Sequence, residues 1–170
     1  EPIALYHTRD LYDDGDEGWL ATYPNLAAGP GAPIGRSRTY GDGTDLTILT
    51  FGNGLRMSLR VARRLERIGI AVRVVDLRWL APLPAADMLR EAAATGRVLI
   101  VDETRRTGGV GEGVLATLLA QGFTGAVDRV ASEDSFIPLG DAALEVLLSE
   151  ETIEAAAIKL TRDSSEEGVP

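Results

Sequence analysis

RVLIVDETRRTGGVGEGV, residues 97–114, is the stretch from which the fold can be read. Val98, Leu99, Ile100 and Val101 form an apolar run without the polar alternation of a half-exposed strand, so the run reads as a strand buried on both faces, as in a parallel sheet. Two acids, Asp102 and Glu103, follow it, then the basic pair Arg105 and Arg106, then a glycine-studded passage into a helical pattern. A strand buried on both faces needs helices on both sides. The acids fall at the strand's carboxyl end, the edge where open α/β sheets place ligands and partners.

Working outward, DLTILTFG (45–52) and IAVRVVDLR (70–78) are two earlier strands, and AVDRVAS (126–132) is a later one. GRSRTY (35–40) alternates arginine with smaller residues and suits an exposed edge strand. Apolar residues at Leu55, Leu59, Ala62 and Leu65 repeat at helical spacing, with Asn53 as the expected N-cap and Gly69 as the stop. Arg56, Arg60, Arg63 and Arg67 form a stripe on the opposite face, read as solvated. Further helices are expected over 85–94, 110–119, 141–148 and 152–160, and a fraying polar tail from Asp163. Strands alternating with helices indicate a three-layer, Rossmann-like α/β sandwich with a mostly parallel sheet of about five strands.

The expected organisation is a linker and edge segment over 1–44, the α/β domain over 45–163 and a disordered tail over 164–170. Within the linker, Asp13 to Glu17 is expected to be mobile, while Trp19 and Tyr23 are expected to lie down on a surface. Glu1 without a preceding methionine or basic leader reads as a segment of a longer polypeptide.

A net charge of −9 opposes binding to nucleic acid and favours basic partners. No apolar stretch has the roughly 20 residues needed to span a bilayer, so no membrane partner is expected. Cysteine is absent, which excludes disulfides and thiolate metal sites and is compatible with the cytoplasm, the expected location.

Several motifs invite chemistry. GGVGEG (108–113) has a phosphate-loop look, but neither a dinucleotide glycine pattern nor a Walker lysine can be read there, and Glu112 disfavours a polyphosphate at the helix N-terminus. The single histidine, His7, sits in the linker, and no G-x-S-x-G elbow accompanies any serine. GDG at 41–43 has its next asparagine at Asn53, too close for the magnesium asparagine of thiamine diphosphate enzymes, and reads as a turn. Asp102, Glu103, Arg105 and Arg106 read as an ion-pair network ordering the loop, with acid–base chemistry as the alternative. Arg78 and Glu103, both at carboxyl ends of strands, are expected to pair. The residues themselves supply no catalytic, cofactor-binding or metal-binding set.

EPIALY, GTDLTILTFGNG, AVRVVDLRWLAPLP, RVLIVDETRRTGGVGEGV and RVASEDSFIPLG, in this order and spacing, resemble the C-terminal domain of the transketolase family. The likeness is greatest to the beta-type part of the decarboxylating component of 2-oxo acid dehydrogenase complexes of the pyruvate or branched-chain kind. HTRDLYDDGDEGW resembles versions that fuse alpha-type and beta-type parts in one chain.

The resemblance implies an enzyme that uses thiamine diphosphate and magnesium to decarboxylate a 2-oxo acid and passes the acyl group to lipoyl-lysine of a dihydrolipoyl acyltransferase. It implies that the cofactor is held by pyrimidine and pyrophosphate domains, upstream or on an alpha-type subunit, and that this fragment alone is inactive. Subunit association, including homo-association, and docking of the acyltransferase's basic subunit-binding domain are what it assigns to this region, with Asp128 as the partner-binding acid. The alternatives are transketolase or deoxyxylulose-phosphate synthase, which share the domain, and a stand-alone small-ligand-binding module on a Rossmann-like sheet.

Overall fold

The computed structural model describes residues 10–166 except 19, 21, 24, 26 and 28–30, with backbone alone over 163–166. Five strands form one sheet: β1 (Arg38–Tyr40), β2 (Leu46–Thr50), β3 (Val72–Asp76), β4 (Arg97–Arg105) and β5 (Ala126–Ser132). Their order is β1-β3-β2-β4-β5, parallel throughout except for β1, which runs antiparallel to β3. Four helices cover the faces: α1 (Asn53–Arg67), α2 (Ala85–Thr95), α3 (Val110–Ala120) and α4 (Glu150–Glu166). This is the expected mixed α/β sandwich.

Strand alternation builds two cores. Ile48, Val74, Leu99 and Val101 pack with Leu59, Val61 and Leu65 of α1 and Ile153 and Ala157 of α4. Their neighbours Leu49, Val75, Val98 and Ile100 face Met88 and Ala92 of α2 and Val114 and Leu118 of α3. Burying each large aliphatic side chain contributes about 2 kcal/mol, so both helix layers are held mainly by the sheet.

Several expectations are corrected. The helix expected over 141–148 is a 3-10 turn, Gly140–Glu145, with no buried residue, because its apolar side chains find no core to cover. The helix expected to end at 160 and fray from Asp163 continues to Glu166. Asn53 does not cap α1; Gly52 takes that place with φ 57° and no side-chain bond. β4 runs past the apolar quartet to Arg105, with an irregular register against β5 between Asp102 and Arg105.

The acidic stretch near Asp13 is ordered rather than mobile. The Asp16 carboxylate accepts N–H bonds from Leu11 (2.9 Å), Tyr12 (2.5 Å), Asp13 (2.9 Å) and Gly18 (2.8 Å). Donors led by Gly18 and Asp13 hold its pKa well below the usual carboxylate range. The turn so formed sinks Leu11, 5% exposed, into the core, whereas Tyr23 stays 81% exposed. It is Leu11 and Tyr12, not Tyr23, that settle on the domain; Trp19 and His7 lie outside the described residues.

Nor is the arginine stripe of α1 a solvated face along its whole length; only Arg67, at its end, is exposed. Arg56 is buried, Arg60 donates to the carbonyls of Leu11 and Asp10 and meets Glu150, and Arg63 pairs with Asp13 at 2.7 Å. Beside them, Arg64 bonds Glu150 and Glu154 of α4, both at 2.7 Å. Arg60 and Arg63 thus face the 10–16 turn, and Arg60 also faces α4, each meeting acceptors there.

Asp87 of α2 fastens β1's leading segment. Its carboxylate, 4% exposed, accepts from Arg36 Nε (2.8 Å), Ser37 N–H (3.0 Å) and Arg90 (2.5 Å). Burial works to raise its pKa, but Arg90, Arg36 and the Ser37 N–H overcome that and hold it down to about 2. With the folded value below the unfolded one, the contribution is fully present above about pH 4 and fades as pH falls through about 2. Asp87→Ala should cost about 2 kcal/mol at pH 6 in urea unfolding, with the gap to the parent closing toward pH 2. A pH-independent gap would rule out this role.

Candidate functional site at the carboxyl ends of β2 and β4

From β2 the chain turns to β3 on one side, and the later strand β4 lies on the other, so the direction of winding reverses between β2 and β4. Crevices at such reversals are where open α/β sheets hold ligands. Asp102 and Glu103 stand there, on consecutive residues of β4.

The two acids serve helices in opposite layers. Asp102, fully buried, directs Oδ2 to the Gly111 N–H of α3 at 2.5 Å, while Oδ1 accepts from the Thr104 N–H (2.8 Å) and hydroxyl (2.7 Å). Glu103 Oε1 accepts the first N–H of α1, from Asn53, at 3.0 Å. Successive side chains of a strand leave on opposite faces, so one dipeptide reaches the N-termini of two helices packed on different sides of the sheet. Carboxylates at helix N-termini satisfy orphan N–H groups and complement the helix dipole. Burial raises the Glu103 pKa, with the Asn53 N–H opposing it and neighbouring Asp102 adding to it.

The glycines make this possible by being small. A Cβ on Gly109 would come within 2.8 Å of Asp102 Oδ2, and one on Gly111 would meet Arg129 Cδ at 2.9 Å. Around them two further loop donors are engaged: Gly108 N–H by Glu112 (3.1 Å) and Thr107 N–H by Asp134 (2.8 Å). Three carboxylates, Asp102, Glu112 and Asp134, thus hold three N–H groups of this loop and helix start and would repel a phosphate there.

Arg78 and Glu103 are not brought together. β2 lies between their strands, Arg78 approaches Asp76 at 4.0 Å, and Glu103 is used by α1. Nor do Asp102, Glu103, Arg105 and Arg106 pair among themselves: Arg105 donates to the Thr107 carbonyl (2.9 Å), and Arg106 meets Glu133 (3.4 Å). The loop is ordered by carboxylate-to-backbone bonds instead. GDG at 41–43 connects β1 to β2, its Gly43 and Asp42 carbonyls accepting from Arg73 at 2.7 and 3.1 Å.

Asp128 is partly exposed on β5, at the edge of the sheet, and its Oδ1 accepts the Arg129 N–H at 2.7 Å. β5 leads into an exposed apolar run: Phe136 is 98% exposed, Leu139 96%, Leu144 72% and Ile137 64%. Four large apolar side chains within nine residues are thus exposed between β5 and α4. Their density in FIPLGDAAL was the available signal. Among the described residues no group of three or more His, Cys, Asp or Glu is placed to hold a metal, and no helix is long and apolar enough to cross a membrane.

Comparison with known proteins agrees with this architecture. The family model described as "Transketolase, C-terminal domain" matches residues 35–158. Pyruvate dehydrogenase E1 component subunit beta of Staphylococcus aureus is 32% identical over 112 residues, covering 64% of this chain and 34% of that protein, and the Staphylococcus epidermidis subunit matches to the same extent. The chain therefore spans about a third of the length of these relatives. Among solved structures, a split gene transketolase, described as an inactive beta4 tetramer, superposes with a TM-score of 0.67 at 32% identity, over 75% of this chain and 42% of that one. A 2-oxoglutarate:ferredoxin oxidoreductase from Magnetococcus marinus, 16% identical with a TM-score of 0.55, shares the fold over 74% of this chain and 20% of its own.

Proposed function

Because the chain belongs to the transketolase C-terminal domain family, we propose that it is the assembly and partner-docking domain of a thiamine diphosphate-dependent 2-oxo acid dehydrogenase, in its beta-type part. The whole enzyme would decarboxylate a 2-oxo acid and deliver the acyl group to lipoyl-lysine of a dihydrolipoyl acyltransferase. The observation that carries this reading is the uncovered apolar run Phe136, Ile137, Leu139 and Leu144, a surface that needs another protein surface to cover it. Upstream domains or an alpha-type subunit, and a second copy of the domain, are the proposed occupants.

Thiamine diphosphate and its magnesium do not fit the described residues. The glycine loop with a phosphate-loop look is ringed by the carboxylates of Asp102, Glu112 and Asp134, which hold the Gly111, Gly108 and Thr107 N–H groups and would repel a diphosphate. The cofactor is accordingly assigned to regions beyond this chain.

Asp128, on the open edge strand, is the proposed contact for the acyltransferase's basic binding domain, in keeping with the chain's net charge of −9. In the full-length enzyme, Asp128→Lys should leave decarboxylation with an artificial electron acceptor intact while weakening capture of that domain about tenfold, equivalent to about 1.4 kcal/mol by titration calorimetry. Undiminished capture would remove Asp128 from the interface. A second reading follows from the 32% identity to the split gene transketolase: transfer of a ketol group between sugar phosphates by the full-length protein, without acyl transfer to a lipoyl acceptor, would replace the dehydrogenase assignment.

A further inference from the structure

Away from the strand ends, two cavities meet at the edge of the sheet. The larger, about 530 Å³, is a groove between α1 and the β1–β3 edge, with Leu59, Ala62, Val72 and Val74 as its floor and Tyr12 and Tyr40 as its aromatic walls. The smaller, about 170 Å³, is lined by Arg60, Arg63, Arg64 and Arg67 together with Asp13. Tyr12 and Arg63 border both, stacked on each other at 4.9 Å.

The charges of the smaller cavity identify what it accepts. Arg60 and Arg64 are drawn to Glu150 and Glu154 of α4, and Arg63 is held by the Asp13 carboxylate at 2.7 Å. Arg67 has no acceptor among the described residues and is exposed. Four guanidinium groups thus meet three carboxylates, and one of these, Asp13, belongs to the 10–16 turn and is 65% exposed. An exposed ion pair of this kind contributes little to stability, so an incoming anion can take Asp13's place at little cost. Asp13 behaves as a built-in stand-in for a ligand carboxylate or phosphate.

The geometry points to a binding site for an amphipathic organic anion, its anionic head on Arg63 and Arg67 in place of Asp13 and its flat apolar body in the groove over Ala62 between Tyr12 and Tyr40. The groove volume lies within the range of small-molecule sites, and arginine suits carboxylate and phosphate heads alike. Asp42 and Glu66 also line the groove and repel a second anionic group there, which restricts the ligand to one charged end. This site is independent of the proposed assembly role, since none of its residues belongs to β5 or the 136–144 run.

Titration calorimetry of the 170-residue chain with naphthyl phosphate and with naphthoate tests it, with inorganic phosphate and naphthol as head alone and body alone. At least one of the two naphthyl anions should saturate a single site about tenfold more tightly than either half, and the tighter of the two identifies the preferred head. Ala62→Phe, which fills the groove, and Arg67→Glu, an exposed change that leaves the core untouched, should each weaken that binding about tenfold, whereas Asp13→Asn should strengthen it about threefold. Binding that survives Ala62→Phe or Arg67→Glu, shows no gain in Asp13→Asn, or is matched by naphthol alone would overturn the site.

Discussion

Asp102→Ala should lower the stability of the chain by about 4 kcal/mol, enough to bring the thermal midpoint down by about 15 °C for a domain of this size. Removing the carboxylate strips three donors at once: the Gly111 N–H at the start of α3, and the Thr104 N–H and hydroxyl. The side chain is fully buried, so water cannot replace it without opening the loop. Asp102→Asn should cost nearly as much, because one acceptor oxygen becomes an NH₂ facing a donor. Urea unfolding at an unchanged m-value measures the loss, and hydrogen exchange should show the Gly111 amide losing protection ahead of the sheet. A loss below about 1 kcal/mol would mean that Asp102 does not hold the helix start.

The other large effect lies at the matching junction on the opposite face. Ordinarily, alanine in place of a helical glycine stabilises by about 1 kcal/mol. Gly54 is an exception: a methyl group there would collide with Thr50 Oγ1, which donates to the Val101 carbonyl at 3.0 Å, and would touch Val101 Cγ1 at 3.5 Å. Gly54→Ala should therefore destabilise by about 3 kcal/mol. Thr50→Ala alone should cost about 1 kcal/mol, and the double variant should be no worse than Thr50→Ala, since the obstructing oxygen is gone. Additive losses in the double variant would show that the cost comes from somewhere other than this contact.

Much of the architecture was legible in the sequence because it rests on short-range patterns. The apolar quartet 98–101, the DLTILTFG run and the helical spacing through Leu65 each declare an element without reference to the rest, and the likeness of the five motifs to the transketolase C-terminal domain is matched by the family model over 35–158. Positions of the acids at the end of β4 were legible too. Their use was not, because the partners are distant or subtle: Asn53 is 50 residues from Glu103, and Gly111 offers only a backbone N–H. The expected Arg78–Glu103 pair assumed adjacent strands, and β2 between them was invisible in a series of strands without their order. Charge patterns misled in the same way. An arginine stripe reads as mostly solvated until α4 and the turn around Asp16 are set against it, and a helix over 141–148 reads well although only Leu148, beyond the 3-10 turn, reaches the core.

Neighbouring residues of one strand address helix starts in two different layers, and this bears on which changes of chain length the fold can absorb. A single-residue insertion or deletion between 97 and 102 would exchange the faces of Asp102 and Glu103, leaving each acid aimed at the wrong layer and both helix starts without acceptors. Length variation among homologous chains should therefore be rare there and concentrate in the 133–144 stretch, where no N–H of a helix depends on counting from β4.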